Sequence, residues 1–224
     1  MMMNLFSSFN PSSIPLINLN WLSMGLFPLF IPFSFWLTHN KYHLSFFLLL
    51  NLIIQELKII MKFKMNFLNL ILLVSIFIFI LLNNLLSLFP FIFSSSSHLL
   101  FSLSLSMMLF FIFMLFGWVT NYNSMFSHLV PLSTPVILIP FMIIIEFISN
   151  IIRPLTLAIR LSANMIAGHL LITLINSSML ESNLFFIIIL MIPQITLMFL
   201  ELNVSFIQSY VFTILSTLYS KEIK

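Results

Sequence analysis

The stretch between Met65 and Ile145 contains no lysine, arginine, aspartate or glutamate. Of the 224 residues in the chain, 61% are hydrophobic and 6% are charged, against about 25% charged residues in ordinary soluble domains. So few charges cannot cover a water-soluble surface, and the chain has no cysteine from which to build a disulfide framework. The sequence therefore predicts an all-α membrane protein, because helices satisfy their own backbone hydrogen bonds in lipid. It excludes a soluble enzyme, a small secreted domain and a disordered chain.

Polar and proline-rich stretches divide the chain into segments of a single integral membrane domain, 1–224. The predicted architecture has two to three perpendicular spans, an interfacial amphipathic helix and a long, strongly tilted C-terminal helical hairpin. The spans are 14–37, 67–89 and 98–119, the amphipathic helix is 43–62, and the hairpin arms are 135–175 and 184–219.

The hairpin arms are longer than a simple membrane crossing requires. A helix over 135–175 is roughly 60 Å long at about 1.5 Å per residue, whereas the hydrocarbon core of a bilayer is about 30 Å thick. Such a helix must tilt strongly or break. Pro154 and Pro193 can kink the arms without ending them. A pair of short helices hinged at Arg153-Pro154 is the alternative.

The segment 43–62 carries its polar side chains at helical spacing. Asn51, Gln55, Lys58 and Lys62 fall on one face, and the other faces are mainly apolar. This pattern is typical of a helix that lies in the lipid headgroup region. An ordinary loop is the alternative.

The lysines predict the topology of the chain. They lie near this amphipathic segment or at the C-terminus, at Lys41, Lys58, Lys62, Lys64, Lys221 and Lys224. Five crossings place both regions on the same side of the membrane, and the positive-inside rule makes that side the inner one. The net charge of +3 is therefore interpreted as a topology signal and not as a nucleic-acid site.

The first hairpin arm carries a narrow polar stripe. At about 100° per residue, five polar side chains fall within an arc of roughly 80°. They are Glu146, Asn150, Arg153, Arg160 and Asn164. Ionisable residues inside membrane spans are costly and mark ion paths. Arg153 can alternatively extend to the membrane surface.

Polar residues of the two arms match in an antiparallel register. The predicted pairs are Arg160 with Gln208, His169 with Glu201, and Glu146 with Glu222. Protons need titratable stations or water on their way through lipid, and a permanent cation between two stations prevents a direct leak. Small residues on the face around Arg160 allow another helix to approach closely. These are Ala158, Ser162, Ala163, Ala167 and Gly168.

Three segments carry a family resemblance. They are His128-Leu-Val-Pro-Leu-Ser-Thr-Pro, Pro140-Phe-Met-Ile-Ile-Ile-Glu-Phe-Ile-Ser-Asn-Ile-Ile-Arg-Pro and Leu157-Ala-Ile-Arg-Leu-Ser-Ala-Asn-Met-Ile-Ala-Gly-His-Leu-Leu. With these segments the chain resembles subunit a of F-type ATP synthases, in its mitochondrial form, over essentially its whole length. Ser133 departs from the glycine expected in this loop.

The resemblance implies a proton-channel stator subunit that is not an enzyme by itself and needs no cofactor or metal. It implies that Arg160 faces the rotating c-ring with Gln208 nearby, and that His169, Glu201 and Asn164 form the intermembrane-space half-channel. Glu146 and Glu222 belong to the matrix half-channel. Asn150 is a further candidate for proton translocation.

The implied partners are the c-ring, other membrane-sector and peripheral-stalk subunits and the lipid bilayer, without nucleic acid. The implied location is the mitochondrial inner membrane, with the N-terminus on the intermembrane-space side and the C-terminus in the matrix. Two other hypotheses compete. A proton-pumping subunit of a respiratory complex would resemble antiporters with lysines inside spans, where this chain has none. A structural anchor would not need the ionisable residues inside the spans.

Overall fold

The structure is a computed structural model that describes residues 5–12, 18–32, 38, 40–61, 67–89, 92–123, 125, 130, 135–180 and 182–222. Its long helices are α1 (Lys41–Ile60), α2 (Phe67–Ser87), α3 (Leu99–Thr120), α4 (Ile139–Leu180) and α5 (Leu184–Glu222). Each of the five is long and apolar enough to cross a membrane. The prediction of an all-α membrane protein is confirmed, and the described ranges contain no β-strand.

The region of the first predicted span, 14–37, differs from a continuous α-helix where it is described. It forms two 3₁₀-helices, Leu19–Gly25 and Phe27–Phe30. Pro28 lies in the first turn of the second of these helices. Proline has no backbone N–H and its ring clashes with the preceding turn of an α-helix, which favours a break here. The remainder of the predicted span, 14–17 and 33–37, lies outside the described residues.

The predicted amphipathic segment is helical over 43–60, so the alternative of an ordinary loop is wrong there, and Lys62 lies outside the described residues. Helix α1 contacts the rest of the protein near its C-terminal end, where Leu57 and Met61 are buried against Leu73 and Val74 of α2. The hydroxyl oxygen of Ser220, near the end of α5, lies 3.4 Å from the Met61 sulfur. The headgroup location of α1 remains a prediction.

Helices α4 and α5 run without interruption through Pro154 and Pro193. The alternative of two short helices hinged at Arg153-Pro154 is therefore wrong. At about 1.5 Å per residue the two helices are each roughly 60 Å long. Helix α4 packs mainly against α3, α5 packs mainly against α2, and the two also contact each other as an antiparallel hairpin. Such neighbours allow a proline to be tolerated inside a membrane helix.

The inward face of α5 consists largely of small hydroxyl side chains. Its buried hydroxyl residues are Ser205, Ser209, Thr213, Ser216, Thr217 and Ser220. Each donates to the carbonyl three residues earlier, at 2.6–2.9 Å, so none is left buried with an unpaired hydroxyl. Small residues allow membrane helices to pack closely where lipid gives no hydrophobic driving force. This hydroxyl face is not among the predicted features, although its spacing of three or four residues is visible in the sequence.

Candidate functional site

The polar side chains of the hairpin form two groups, one near the α4–α5 turn and one near the open end. The first, here called the turn-end site, comprises Asn164, Gly168, His169, Glu201 and Gln208. The second, here called the open-end site, comprises Glu146, Arg153 and Tyr219. Arg160 lies between the two groups along α4.

The turn-end site is held by hydrogen bonds between the arms. Asn164 Nδ2 donates to Gln208 Oε1 at 3.2 Å, and nearer the turn Gln194 Nε2 donates to Asn176 Oδ1 at 3.0 Å. These contacts lie close to the predicted register. Arg160 was predicted to lie opposite Gln208, and the hydrogen bond of Gln208 is made with Asn164, one turn further along α4. Gln208 is buried and Arg160 is exposed.

Glu201 is buried, with 7% of its surface exposed. Neither of its carboxylate oxygens has a hydrogen-bond partner in the described part of the chain, and the same holds for Nε2 of His169. The two side chains therefore do not bond each other, but they line the same cavity of about 190 Å³. Buried polar groups are almost always hydrogen-bonded in proteins. The site is thus arranged to interact with water or with a group from another chain.

His169 also lines a second, larger cavity of about 680 Å³. Its ring meets the Phe9 ring edge-on, with the centroids 6.2 Å apart. Polar side chains along this cavity were not predicted as site residues; they include Asn20, Ser94, Asn176 and Gln194. They come from segments far apart in sequence, so no local motif points to them. His169 thus borders both cavities.

Arg160 is exposed on the outer face of α4 and makes no ion pair with any residue that the structure describes. Ala163 and Ala167, one and two turns on, are exposed on the same side. The prediction that Ala158 and Ser162 share this face is wrong, because both are buried, at 0% and 1% exposure. They are separated from Arg160 by about half a helical turn, since residues two apart do not face the same way. Two alanines therefore share an outward surface with the arginine, on its C-terminal side.

The open-end site contains an ion pair between two side chains of the polar stripe on α4. Arg153 Nη2 lies 3.8 Å from Glu146 Oε1, and both side chains are 38% exposed. The guanidinium carbon of Arg153 also lies 6.0 Å from the centre of the Tyr219 ring on α5. Asn150 is half-buried on the same helix. The predicted pairing of Glu146 with Glu222 concerns a side chain outside the described residues, so it stays a prediction.

These features define a class: a multi-helix membrane protein with ionisable groups along an apolar hairpin, as in proteins that move ions. In the described ranges, no three His, Cys, Asp or Glu side chains come together as candidate metal ligands.

The sequence profile of the family described as ATP synthase A chain matches residues 3–221. "ATP synthase subunit a" of Drosophila yakuba and that of Drosophila melanogaster are each 48% identical over 223 residues, covering 100% of both chains. The protein of the same name from Anopheles quadrimaculatus is 48% identical over 225 residues, again with 100% coverage of both. The chain belongs to the ATP synthase A chain family.

Membership of this family makes the chain a membrane-sector subunit of ATP synthase. It is a multi-pass protein of the mitochondrial inner membrane that takes part in proton transport and ATP synthesis. It is not catalytic by itself, and it works within a multi-subunit complex.

Proposed function

We propose that the chain forms two half-channels that pass protons to and from a rotating c-ring. The turn-end site serves the intermembrane-space side, and the open-end site serves the matrix side together with Asn150 and Glu222. The N-terminus then faces the intermembrane space and the C-terminus faces the matrix. Other membrane-sector and peripheral-stalk subunits and the bilayer complete the surroundings.

The exposure of Arg160 is the observation that carries this proposal. The guanidinium is a permanent cation with no ionic partner in the described chain, on a surface where Ala163 and Ala167 leave room for another helix. Placing an unpaired charge in the apolar part of a membrane helix is costly. A carboxylate on a neighbouring subunit would remove that cost by pairing with Arg160, and the pairing would favour the ionised form that has released its proton.

The positions along α4 support a division into two channels. Arg160 is about 14 Å from His169 and about 21 Å from Glu146 along the helix axis, at about 1.5 Å per residue. On the turn-end side, His169 borders both the 680 Å³ and the 190 Å³ cavity, and Glu201 borders the smaller one. These neighbours support a route from the larger cavity through His169 to Glu201. The cation repels protons that would otherwise continue directly to the other side.

Replacing Arg160 tests the proposal in the assembled enzyme. In ATP synthase carrying Arg160→Ala, reconstituted into sealed vesicles, proton-driven ATP synthesis should fall to background. The matched control is Lys58→Ala, which removes an exposed cation from α1 and should leave synthesis near the wild-type rate. Normal coupled synthesis with Arg160→Ala would refute the proposed role. A purely structural anchor further predicts unchanged proton flux when Glu201 and His169 are replaced by leucine.

The sidedness can be tested with single cysteines, because the natural chain has none. Asn183→Cys at the hairpin turn and Lys221→Cys near the C-terminus both replace exposed residues. In intact mitoplasts, a membrane-impermeant maleimide should label Asn183→Cys and should not label Lys221→Cys until the membrane is opened. The reverse result would invert the proposed topology.

A further inference from the structure

Gly168 lies directly against the carboxyl group of Glu201. A Cβ atom built on Gly168 would be 2.7 Å from Cδ and 2.9 Å from Cγ of Glu201, and it would also collide with Oε1. Ordinary van der Waals contacts of a Cβ atom lie at 3.4–4 Å. The Glu201 carboxylate therefore occupies the volume that any side chain at position 168 would fill.

This glycine stands in the interior of α4, where glycine is a poor helix former because of its backbone freedom. The atoms that a new Cβ would meet belong to the far end of a flexible side chain and not to the backbone. A methyl group at position 168 would therefore displace the carboxylate of Glu201 and would not force the two helices apart.

We propose that Gly168 is a positioning residue for Glu201. Because Gly168 has no side chain, it leaves free the space beside α4 that the Glu201 carboxylate occupies, next to His169 and at the 190 Å³ cavity. This inference rests on the proposed proton path, because it concerns the geometry of one of its stations. The competing explanation is that Gly168 only permits close helix packing, as small residues do in membranes.

The test is size complementation in the assembled ATP synthase, reconstituted into sealed vesicles and assayed for proton pumping and for proton-driven ATP synthesis. The variants are Gly168→Ala, Glu201→Asp and the combination of the two. A displacement of about 1 Å at a reacting group can cost up to about 100-fold in rate, and we expect Gly168→Ala to lower proton flux about tenfold or more. Glu201→Asp is one methylene shorter, so the double variant should pump faster than Gly168→Ala alone.

Gly25→Ala is the matched control, because a Cβ built on Gly25 meets nothing within 4 Å. It should leave proton flux unchanged. The amount of assembled complex, measured on native gels, should be similar for all variants, since only a flexible carboxyl group has to move.

Several results would overturn the positioning role. One is wild-type flux with Gly168→Ala, and another is a double variant that pumps no faster than Gly168→Ala. Loss of assembly with Gly168→Ala would also overturn it and would support a packing role alone.

The Glu201→Gln variant separates this inference from the proposed function. If Glu201→Gln abolishes flux while size complementation fails, the proton path stands and only the role of Gly168 falls. If Glu201→Gln has no effect, the proton path itself is wrong.

Discussion

The turn-end and open-end sites each contain a glutamate on the hairpin, yet the two carboxylates have opposite surroundings. Glu201 is 7% exposed and has no hydrogen-bond partner in the described chain. Glu146 is 38% exposed and lies 3.8 Å from the guanidinium of Arg153. A buried, unpartnered carboxylate depends on a few fixed neighbours, whereas a half-exposed ion pair can exchange its partner for water. The two proposed half-channels should therefore respond differently to the same substitution.

The largest effect is expected for Glu201→Gln, which keeps the size of the side chain but removes its ability to take up and release a proton. A positioned proton-transfer group contributes about 100-fold to 10,000-fold, and we expect proton flux to fall at least about 100-fold. Flux can be measured as the quenching of a pH-sensitive dye in vesicles. Ser205→Ala is the control, because Ser205 is buried one turn further on and its hydroxyl bonds only its own helix, at 2.7 Å to the Leu202 carbonyl.

The next effect concerns the stability of the turn-end site. Asn164→Leu would leave the buried amide of Gln208 without its 3.2 Å partner. A buried polar group that loses its partner costs about 1–3 kcal/mol, whereas replacing both partners by apolar groups can be nearly neutral. The single variant should therefore lower the temperature at which the complex dissociates on native gels, and adding Gln208→Leu should restore part of that loss. A double variant that is less stable than the single one would contradict the importance of this bond.

The sequence predicted the helices and their order better than the contacts between them. Hydropathy and proline positions indicate the segments that form α1 to α5, together with a span at 14–37 that is not a continuous α-helix where it is described. The polar pairs indicate an antiparallel register close to that of the structure. The helical wheel sets the phase of a residue within its own helix, but not the rotation of one helix against the next. For that reason Gln208 was assigned to Arg160 and not to Asn164, and the contact of Gly168 with Glu201 was not foreseen.

The same limit explains two further differences. Ala158 and Ser162 were assigned to the face of Arg160 because they are near it in sequence, whereas the packing of α4 buries them on another side. The 3₁₀ geometry of Leu19–Gly25 and Phe27–Phe30 was hidden by an apolar composition that fits either kind of helix. Composition predicts which segments are buried in the membrane, whereas the contacts between side chains depend on how the helices pack against each other.

A moderate effect is expected for Glu146→Gln. This variant tests directly whether the half-exposed Glu146 is less sensitive to substitution than the buried Glu201. Because Glu146 is half-exposed, water can reach its position and replace part of its role. We expect proton flux to fall by about tenfold or less, which is below the about 100-fold to 10,000-fold that a positioned proton-transfer group contributes. The same dye assay measures it beside Glu201→Gln. Equal losses for the two variants would remove the distinction between a buried and a solvated station.

The smallest effect is expected for Arg153→Gln, which removes the partner of Glu146 and the cation near the Tyr219 ring. An exposed ion pair contributes about 0–1 kcal/mol, so flux should fall by no more than about fivefold. Salt should screen this pair in the wild type, because the Debye length is only about 3 Å at 1 M. The difference between wild type and Arg153→Gln should therefore shrink as the salt concentration in the assay rises. Arg153→Lys keeps the charge and should lie between the two at low salt. A large loss that persists at high salt would show that Glu146 depends on a fixed neighbour as Glu201 does, and the two ends of the hairpin would then work in the same way.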